Sequence, residues 1–149
     1  MLPSVPLDRI LPPQHRALAA EFLRFGVVGA AGFAVDTAVL YAALGLGAGL
    51  YGGRVLSYLA AATATWAMNR AWTFRAAAGP RGRAAMGRQW ALFLLVNLVG
   101  FAMNYGAYAL LVGNLPLAAA HPVLGVAAGA LAGMGGNFLL SRRYVFQNR

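Results

Sequence analysis

The sequence contains no cysteine, and it has only three acidic residues and two histidines in 149 positions. The absence of cysteine excludes disulfide bonds, thiolate nucleophiles and cysteine-ligated zinc. His15 and His121 have no metal-ligating neighbours in the sequence. Asp8, Glu21 and Asp36 are the only acidic residues, so a hydrolase with paired carboxylates or a His/Asp relay would have very few groups to use. We therefore expect a protein that is not an enzyme and that holds no metal and no cofactor.

Charge is scarce and almost all of one sign. Charged residues make up 10% of the chain, against about 25% in soluble domains. Lysine is absent, so all twelve basic residues are arginines and the net charge is +9. Such a charge favours nucleic acid or an anionic membrane. A nucleic-acid surface would interleave basic and aromatic side chains, whereas these arginines flank four long stretches that are nearly free of charge. We therefore expect a membrane protein that binds no nucleic acid.

The four stretches predict four transmembrane helices, because about 20 apolar residues at a rise of 1.5 Å cross a hydrocarbon core of about 30 Å. Their expected bounds are 25–46, 51–69, 90–112 and 119–140. The expected fold is therefore an all-α membrane protein in which residues 25–147 form two helical hairpins. A basic loop at 70–89 joins the hairpins, and residues 1–24 form a cytoplasmic or interfacial segment.

The arginines also predict the orientation of the helices. Every arginine except Arg54 lies in the N-terminal segment, in or beside the loop at 70–89, or at the C-terminus. The positive-inside rule assigns these regions to the cytoplasmic side. We therefore expect a multi-pass protein of the cytoplasmic membrane with both termini in the cytoplasm.

Two sequence matches indicate an internal repeat. Residues 32–36 (GFAVD) match residues 100–104 (GFAMN), 68 positions later, and residues 70–74 (RAWTF) match residues 142–146 (RRYVF), 72 positions later. An asparagine precedes each of the latter segments, at positions 69 and 137. Because each unit contains two spans, the two repeats would be parallel and related by an axis along the membrane normal, an arrangement that some transporters use.

Polar residues within the spans are candidate functional groups, because a charge at the bilayer centre costs about 3 kcal/mol or more unless it is paired, neutralised or hydrated. We interpret Asp36 as a coupling or substrate-contact group, with a protonated carboxyl bonded to a neighbouring helix as the alternative. Its repeat counterpart is the uncharged Asn104. Asn97, in the third span, is interpreted as a contact between helices.

The second span carries a polar stripe that must face the bundle interior or a hydrated groove. Its members are Arg54, Tyr58, Thr65 and Asn69. For Arg54 three interpretations stay open: its side chain extends outwards to water, pairs with Asp36, or meets an anionic headgroup.

Three segments resemble the GtrA-like family of small four-span membrane proteins. They are residues 24–29 (RFGVVG), 69–74 (NRAWTF) and 137–146 (NFLLSRRYVF), and the resemblance covers about residues 21–147. It implies translocation of a polyprenyl-phosphate-linked monosaccharide across the cytoplasmic membrane for the glycosylation of cell-surface polysaccharides. Arginine in every basic position departs from the family pattern, but arginine binds phosphate well.

The resemblance also implies roles for residues at the cytoplasmic side. Arg70 and Arg142 would bind the lipid phosphate, and Asn69 and Asn137 would bind phosphate or sugar hydroxyls. Trp72 would stack on the sugar or the isoprenoid, or else anchor the protein at the membrane interface. The polar stripe with Tyr58 would then carry the headgroup outwards to Arg54.

Two other functions fit the same sequence features. A proton-coupled exporter that resembles the small multidrug transporters would also have four spans and one buried carboxyl group. An accessory subunit would anchor or activate a membrane glycosyltransferase and transport nothing. Four helices are few for enclosing a long lipid, so a homo-oligomer or an open lateral groove is consistent with the first function.

Overall fold

The computed structural model describes residues 12–146, which are mostly helical and contain no strand. The α-helices are α1 (Pro13–Gly45), α2 (Gly49–Met68), α3 (Arg83–Asn114), α4 (Pro116–Ala120) and α5 (Pro122–Leu140). A π-helical turn follows α2 at Asn69–Thr73, another follows α5 at Ser141–Val145, and a 3₁₀ turn lies at Arg75–Ala77. The predicted all-α fold is confirmed.

Two helices, α1 and α3, are long and apolar enough to cross a membrane. They have 33 and 32 residues and are therefore about 50 Å long, which exceeds the hydrocarbon thickness of about 30 Å. The helices α2 and α5 have 20 and 19 residues, about 30 Å each. Packing joins α1 to α2 and α3 to α5, with α4 in the connection of the second pair.

Helices α1 and α3 extend beyond the bounds that we predicted for the first and third spans. Pro13 occupies the first turn of α1, where its missing N–H costs no hydrogen bond. Residues 13–24, expected as part of a cytoplasmic or interfacial segment, form the first turns of α1. The loop expected at 70–89 is shorter, because helical turns continue to Thr73 and α3 already begins at Arg83. At the opposite end of the bundle, Gly47 turns the chain from α1 to α2 with a φ of 85° that favours glycine.

The aromatic core lies at the end of the bundle that carries the two π-helical turns and residues 74–82. We call this the basic end, because the described arginines other than Arg54 are there. Phe74 and Phe146 are almost fully buried and stack with their ring centroids 4.7 Å apart. Phe25 lies 6.1 Å from Phe74, and Phe93 lies 6.2 Å from Phe146. The two helix pairs therefore meet through equivalent ring contacts around one central stack.

Candidate functional site

An open cavity of about 260 Å³ lies between α1, α2, α3 and α5, which are the four long helices of the fold; we call it the polar cavity, because polar side chains form part of its wall. It has room for several water molecules, since one water needs about 10–15 Å³ of such volume. Four of its lining residues are predicted site residues, one from α1, two from α2 and one from α5: Asp36, Tyr58, Thr65 and Asn137. The structure therefore brings together polar groups that lie up to about a hundred positions apart in the sequence.

Hydrogen bonds to backbone carbonyls hold three polar side chains of this cavity. The hydroxyl of Tyr58 donates to the carbonyl of Leu94 at 3.0 Å and so links α2 to α3. The hydroxyl of Thr65 donates to a carbonyl one turn earlier in α2 at 2.9 Å. Asn97 also lines the cavity, and its Nδ2 donates to the carbonyl of Phe93 at 2.8 Å. Asn97 is therefore a cavity residue whose Nδ2 is bonded within its own helix.

Two glycines allow the helices to approach closely beside the cavity. A Cβ on Gly32 would lie 2.3 Å from Cγ2 of Thr65, and a Cβ on Gly100 would lie 1.8 Å from Oδ1 of Asn137. Nonbonded carbons normally stay about 3.5–4.0 Å apart, so neither position has room for a larger residue. Oδ1 of Asn137 is buried and has no hydrogen-bond partner within the described chain. The pairs lie at corresponding positions in the two helix pairs.

Asn104 is not at the polar cavity, although its repeat counterpart Asp36 is. It packs instead against two glycines of α5: a Cβ on Gly129 would lie 2.6 Å from the Asn104 carbonyl oxygen, and one on Gly133 would lie 2.9 Å from the Asn104 Cβ. The two counterparts therefore have different surroundings. The side chain of Arg54 lies outside the part of the chain that is described.

Arg70 is bound to its own loop at the basic end. Its Nη1 donates to the carbonyl of Ala78 and to Oε1 of Gln89. Its Nη2 donates to the carbonyls of Gly79 and Pro80 at 3.2 and 2.8 Å. These bonds engage both terminal nitrogens of the guanidinium group and hold residues 78–80 against the end of α2. Of the three guanidinium nitrogens that could bind a phosphate, these bonds leave only Nε without a partner in the described chain.

Gln89 connects both helix pairs and was not among the residues singled out from the sequence. Its Oε1 accepts from Arg70 and, at 3.2 Å, from Nε1 of Trp66. Its Nε2 donates to the carbonyl of Ala78 at 3.0 Å and to that of Val145 at 3.2 Å. One amide side chain thus satisfies groups on α2, the loop and the second π-helical turn. Its only sequence signal is an uncharged polar residue among apolar ones near the start of α3.

Arg142 is the counterpart of Arg70, but it has fewer contacts. Its Nε donates to Oε2 of Glu21 at 2.7 Å, and the side chains of Arg142 and Glu21 are 48% and 27% exposed. The pair borders a cavity of about 490 Å³ that also includes Arg143. The terminal nitrogens of Arg142 have no partner within residues 12–146.

The other predicted residues of the basic end, Asn69 and Trp72, have different surroundings although both belong to the first π-helical turn. Asn69 is 1% exposed, and its Oδ1 is buried without a hydrogen-bond partner among the described residues. The backbone carbonyl of Asn69 accepts a hydrogen bond from the N–H of Phe74 at 2.8 Å. The backbone carbonyl of Ser141 accepts the equivalent bond from the N–H of Phe146. Asn69 therefore corresponds in position to Ser141. Trp72 is half exposed, with the guanidinium of Arg24 6.0 Å from its ring centroid.

Comparison with known proteins identifies the family of the chain. The family model described as GtrA/DPMS, transmembrane domain, matches residues 24–146, which include α1 from Arg24 onward, all of α2, α3 and α5, and both π-helical turns. The search of curated proteins found no match. The matched region covers most of the chain and confirms the resemblance that its sequence motifs indicated. The chain is a membrane protein that belongs to the GtrA/DPMS transmembrane-domain family.

Proposed function

We propose that this protein translocates a polyprenyl-phosphate-linked monosaccharide across the cytoplasmic membrane, where the sugar is then used to glycosylate a cell-surface polysaccharide. Membership of the family places the chain among membrane proteins of lipid-linked sugar handling. The observation that carries the finer proposal is the polar cavity, to which all four long helices contribute. The proposed activity is transport, without a catalytic residue.

The cavity offers a sugar the type of surface it needs inside a bilayer. Sugar hydroxyls both donate and accept hydrogen bonds, and the cavity presents hydroxyl, carboxyl and amide groups from Tyr58, Thr65, Asp36, Asn97 and Asn137. Intramembrane polar groups of this kind mark substrate or ion pathways, because lipid cannot satisfy them. A headgroup that leaves water would exchange its hydration for these groups.

We also propose that all four long helices span the membrane as two parallel repeats, with both termini in the cytoplasm. Several matched contacts support this arrangement: Phe25–Phe74 with Phe93–Phe146, and Gly32–Thr65 with Gly100–Asn137. The concentration of arginine at the basic end supports its cytoplasmic placement. The lipid-linked sugar would enter from the basic end.

The test compares two asparagines that make the same local hydrogen bond. Asn97 and Asn114 each donate to a carbonyl four residues earlier at 2.8 Å, but only Asn97 lines the cavity. The purified protein is reconstituted into liposomes with a fluorescent polyprenyl-phosphate-hexose, and an impermeant quencher added outside measures movement between leaflets. Asn97→Leu should slow this movement by about tenfold, the equivalent of one hydrogen bond, whereas Asn114→Leu should not.

The same liposomes separate the proposal from its two alternatives. An accessory subunit of a glycosyltransferase would show no movement of the lipid-linked sugar in the absence of its partner enzyme. A proton-coupled exporter would instead move a cationic dye in a way that depends on Asp36 and on a pH gradient. Equal rates for Asn97→Leu and Asn114→Leu would contradict the role given to the cavity.

A further inference from the structure

The two repeat-related arginines differ in how firmly they are held. Arg70 and Gln89 correspond in position to Arg142 and Glu21, and both pairs are in contact. Arg70 makes four hydrogen bonds through its terminal nitrogens. Arg142 makes one bond through Nε, and nearly half of its side chain is exposed. Among the described residues, the terminal N–H groups of Arg70 are therefore all bonded, whereas the four terminal N–H groups of Arg142 have no partner.

The cavity of about 490 Å³ beside Arg142 combines a charged rim with an apolar floor. Arg142 and Arg143 provide the basic groups and Glu21 the acidic one. The rings of Phe74 and Phe146 form the floor. Leu139, which also lines this cavity, is 60% exposed on the outer surface of α5. The cavity therefore offers a lipid a route along Leu139 and offers its headgroup two guanidinium groups.

We propose that Glu21 is an exchangeable counter-ion of Arg142, and that the phosphodiester of an incoming lipid-linked sugar displaces it in the first step of docking. This inference rests on the proposed function. The planar guanidinium binds two oxygens of a phosphate side by side, a geometry that the single contact between Nε and Glu21 does not use. The displaced carboxylate is left at a partly exposed position, where water solvates it.

The charges of this cavity favour a phosphodiester. Two arginines and one glutamate leave a single positive charge, which a phosphodiester with one negative charge neutralises. After docking, Glu21 remains near the phosphate and repels it, so binding is weakened and the headgroup can leave again for the polar cavity. The same carboxylate opposes occupation by stray anions, because each must displace it.

The experiment measures equilibrium binding of a radiolabelled short-chain polyprenyl-phosphate-hexose to the full chain in detergent. Arg142→Gln should weaken binding by about tenfold or more, the effect of losing a charge-assisted hydrogen bond. Arg83→Gln is the matched control, since it removes the same charge from an exposed position at the basic end, and its binding should stay within about twofold of the unaltered protein. Glu21→Gln should strengthen binding by about threefold to tenfold, because no carboxylate competes.

A gain in affinity cannot result from misfolding, so Glu21→Gln keeps the test valid if Arg142→Gln fails to fold. Equal binding by the Arg142→Gln and Arg83→Gln variants would overturn the proposal, and so would weaker binding by Glu21→Gln. Inorganic phosphate and phosphatidylglycerol serve as competitors. Strong competition by the first would identify a free phosphate site, and by the second a general anionic-lipid site, and either would overturn the assignment to a lipid-linked sugar.

Binding and translocation are measured separately, so the two proposals can fail separately. Binding that depends on Arg142 in a protein that moves no lipid would retain the site and refute the translocase. Translocation that is unchanged in the Arg142→Gln variant would retain the translocase and refute the site.

Discussion

The substitution Gly32→Ala tests the contact between α1 and α2 beside the polar cavity, because it adds one methyl group at this contact. In Gly32→Ala the new Cβ would lie 2.3 Å from Cγ2 of Thr65. Thr65 is branched at Cβ, which restricts χ1 in a helix, and its hydroxyl is bonded within α2, so its side chain has few ways to turn away. The helices must then separate, and overpacking of this kind costs about 1–3 kcal/mol.

Gly29→Ala provides the reference, because a Cβ at this position meets no atom within 4 Å. Both substitutions gain the same helix propensity of up to about 1 kcal/mol, so the difference between their unfolding free energies isolates the steric clash. Each kcal/mol corresponds to about 2–4 °C in Tm for a chain of this size. In detergent, Gly32→Ala should therefore melt about 2–12 °C below Gly29→Ala.

A second substitution should reverse the effect. Thr65→Ser removes the clashing Cγ2 and retains the hydroxyl that donates within α2, so adding it to Gly32→Ala should restore most of the lost Tm. Equal melting of the two alanine variants, or failure of the serine to restore stability, would refute the conclusion that this contact sets the distance between α1 and α2.

Three further predictions test the second helix pair, the basic end and the topology. Gly100→Ala should destabilise the protein at least as much as Gly32→Ala, since its Cβ would lie 1.8 Å from an amide oxygen, and thermal unfolding in detergent measures this. Gln89→Leu should lower the free energy of unfolding by about 2–4 kcal/mol in the same assay, because it removes four hydrogen bonds. Because the chain has no cysteine, Ala76→Cys and Ala48→Cys should each give a single site for an impermeant thiol reagent, reactive from the cytoplasmic and the outer side respectively. Reaction of both from the same side would contradict the hairpin topology.

The helical character of this fold follows from its sequence, but the helix ends do not. Long charge-free runs predict helices because a bilayer leaves no other way to satisfy the backbone of a single segment. Outside the bilayer this constraint ends, and a helix continues as far as its local sequence permits. Thus α1 extends back to Pro13 and α3 to Arg83, through arginines that we took to mark the ends of the spans.

Residues of the candidate site could be predicted from the sequence where they lie on the same face of a single helix, because the helical repeat determines which residues share a face. Tyr58 and Thr65 share a face of α2, and both line the polar cavity. Gln89 and Glu21 could not be found in this way, because their roles depend on partners in other elements and on the path of the loop at 74–82. Asn97 shows a similar limit: the sequence contains its amide but not the bond within α3 that leaves it at the cavity wall.

The position of the polar cavity has a physical cause in the differences between the two helix pairs. In the second pair, Gly129 and Gly133 let α5 close onto Asn104. The corresponding residues of α2, 72 positions earlier, are Ser57 and Ala61. Each has a Cβ and so needs space that a glycine does not need. Asp36 faces the cavity that Ala61 also lines, whereas its counterpart Asn104 is packed against backbone.

The two helix pairs also differ in their polar residues: the first pair has carboxyl groups where the second has amides. The first pair has Asp36 and Glu21 where the second has Asn104 and Gln89. The aromatic positions do not differ, since Phe25 corresponds to Phe93 and Phe74 corresponds to Phe146. Substituting an amide for a carboxyl group removes a charge and adds a donor, which suits a fixed hydrogen-bonded contact. Gln89 accordingly makes four fixed hydrogen bonds that join the two pairs and the loop, whereas Asn104 packs against Gly129 and Gly133. Asp36 and Glu21 each border a cavity, so the first pair contains both of the carboxyl groups to which the proposed transport would give a role.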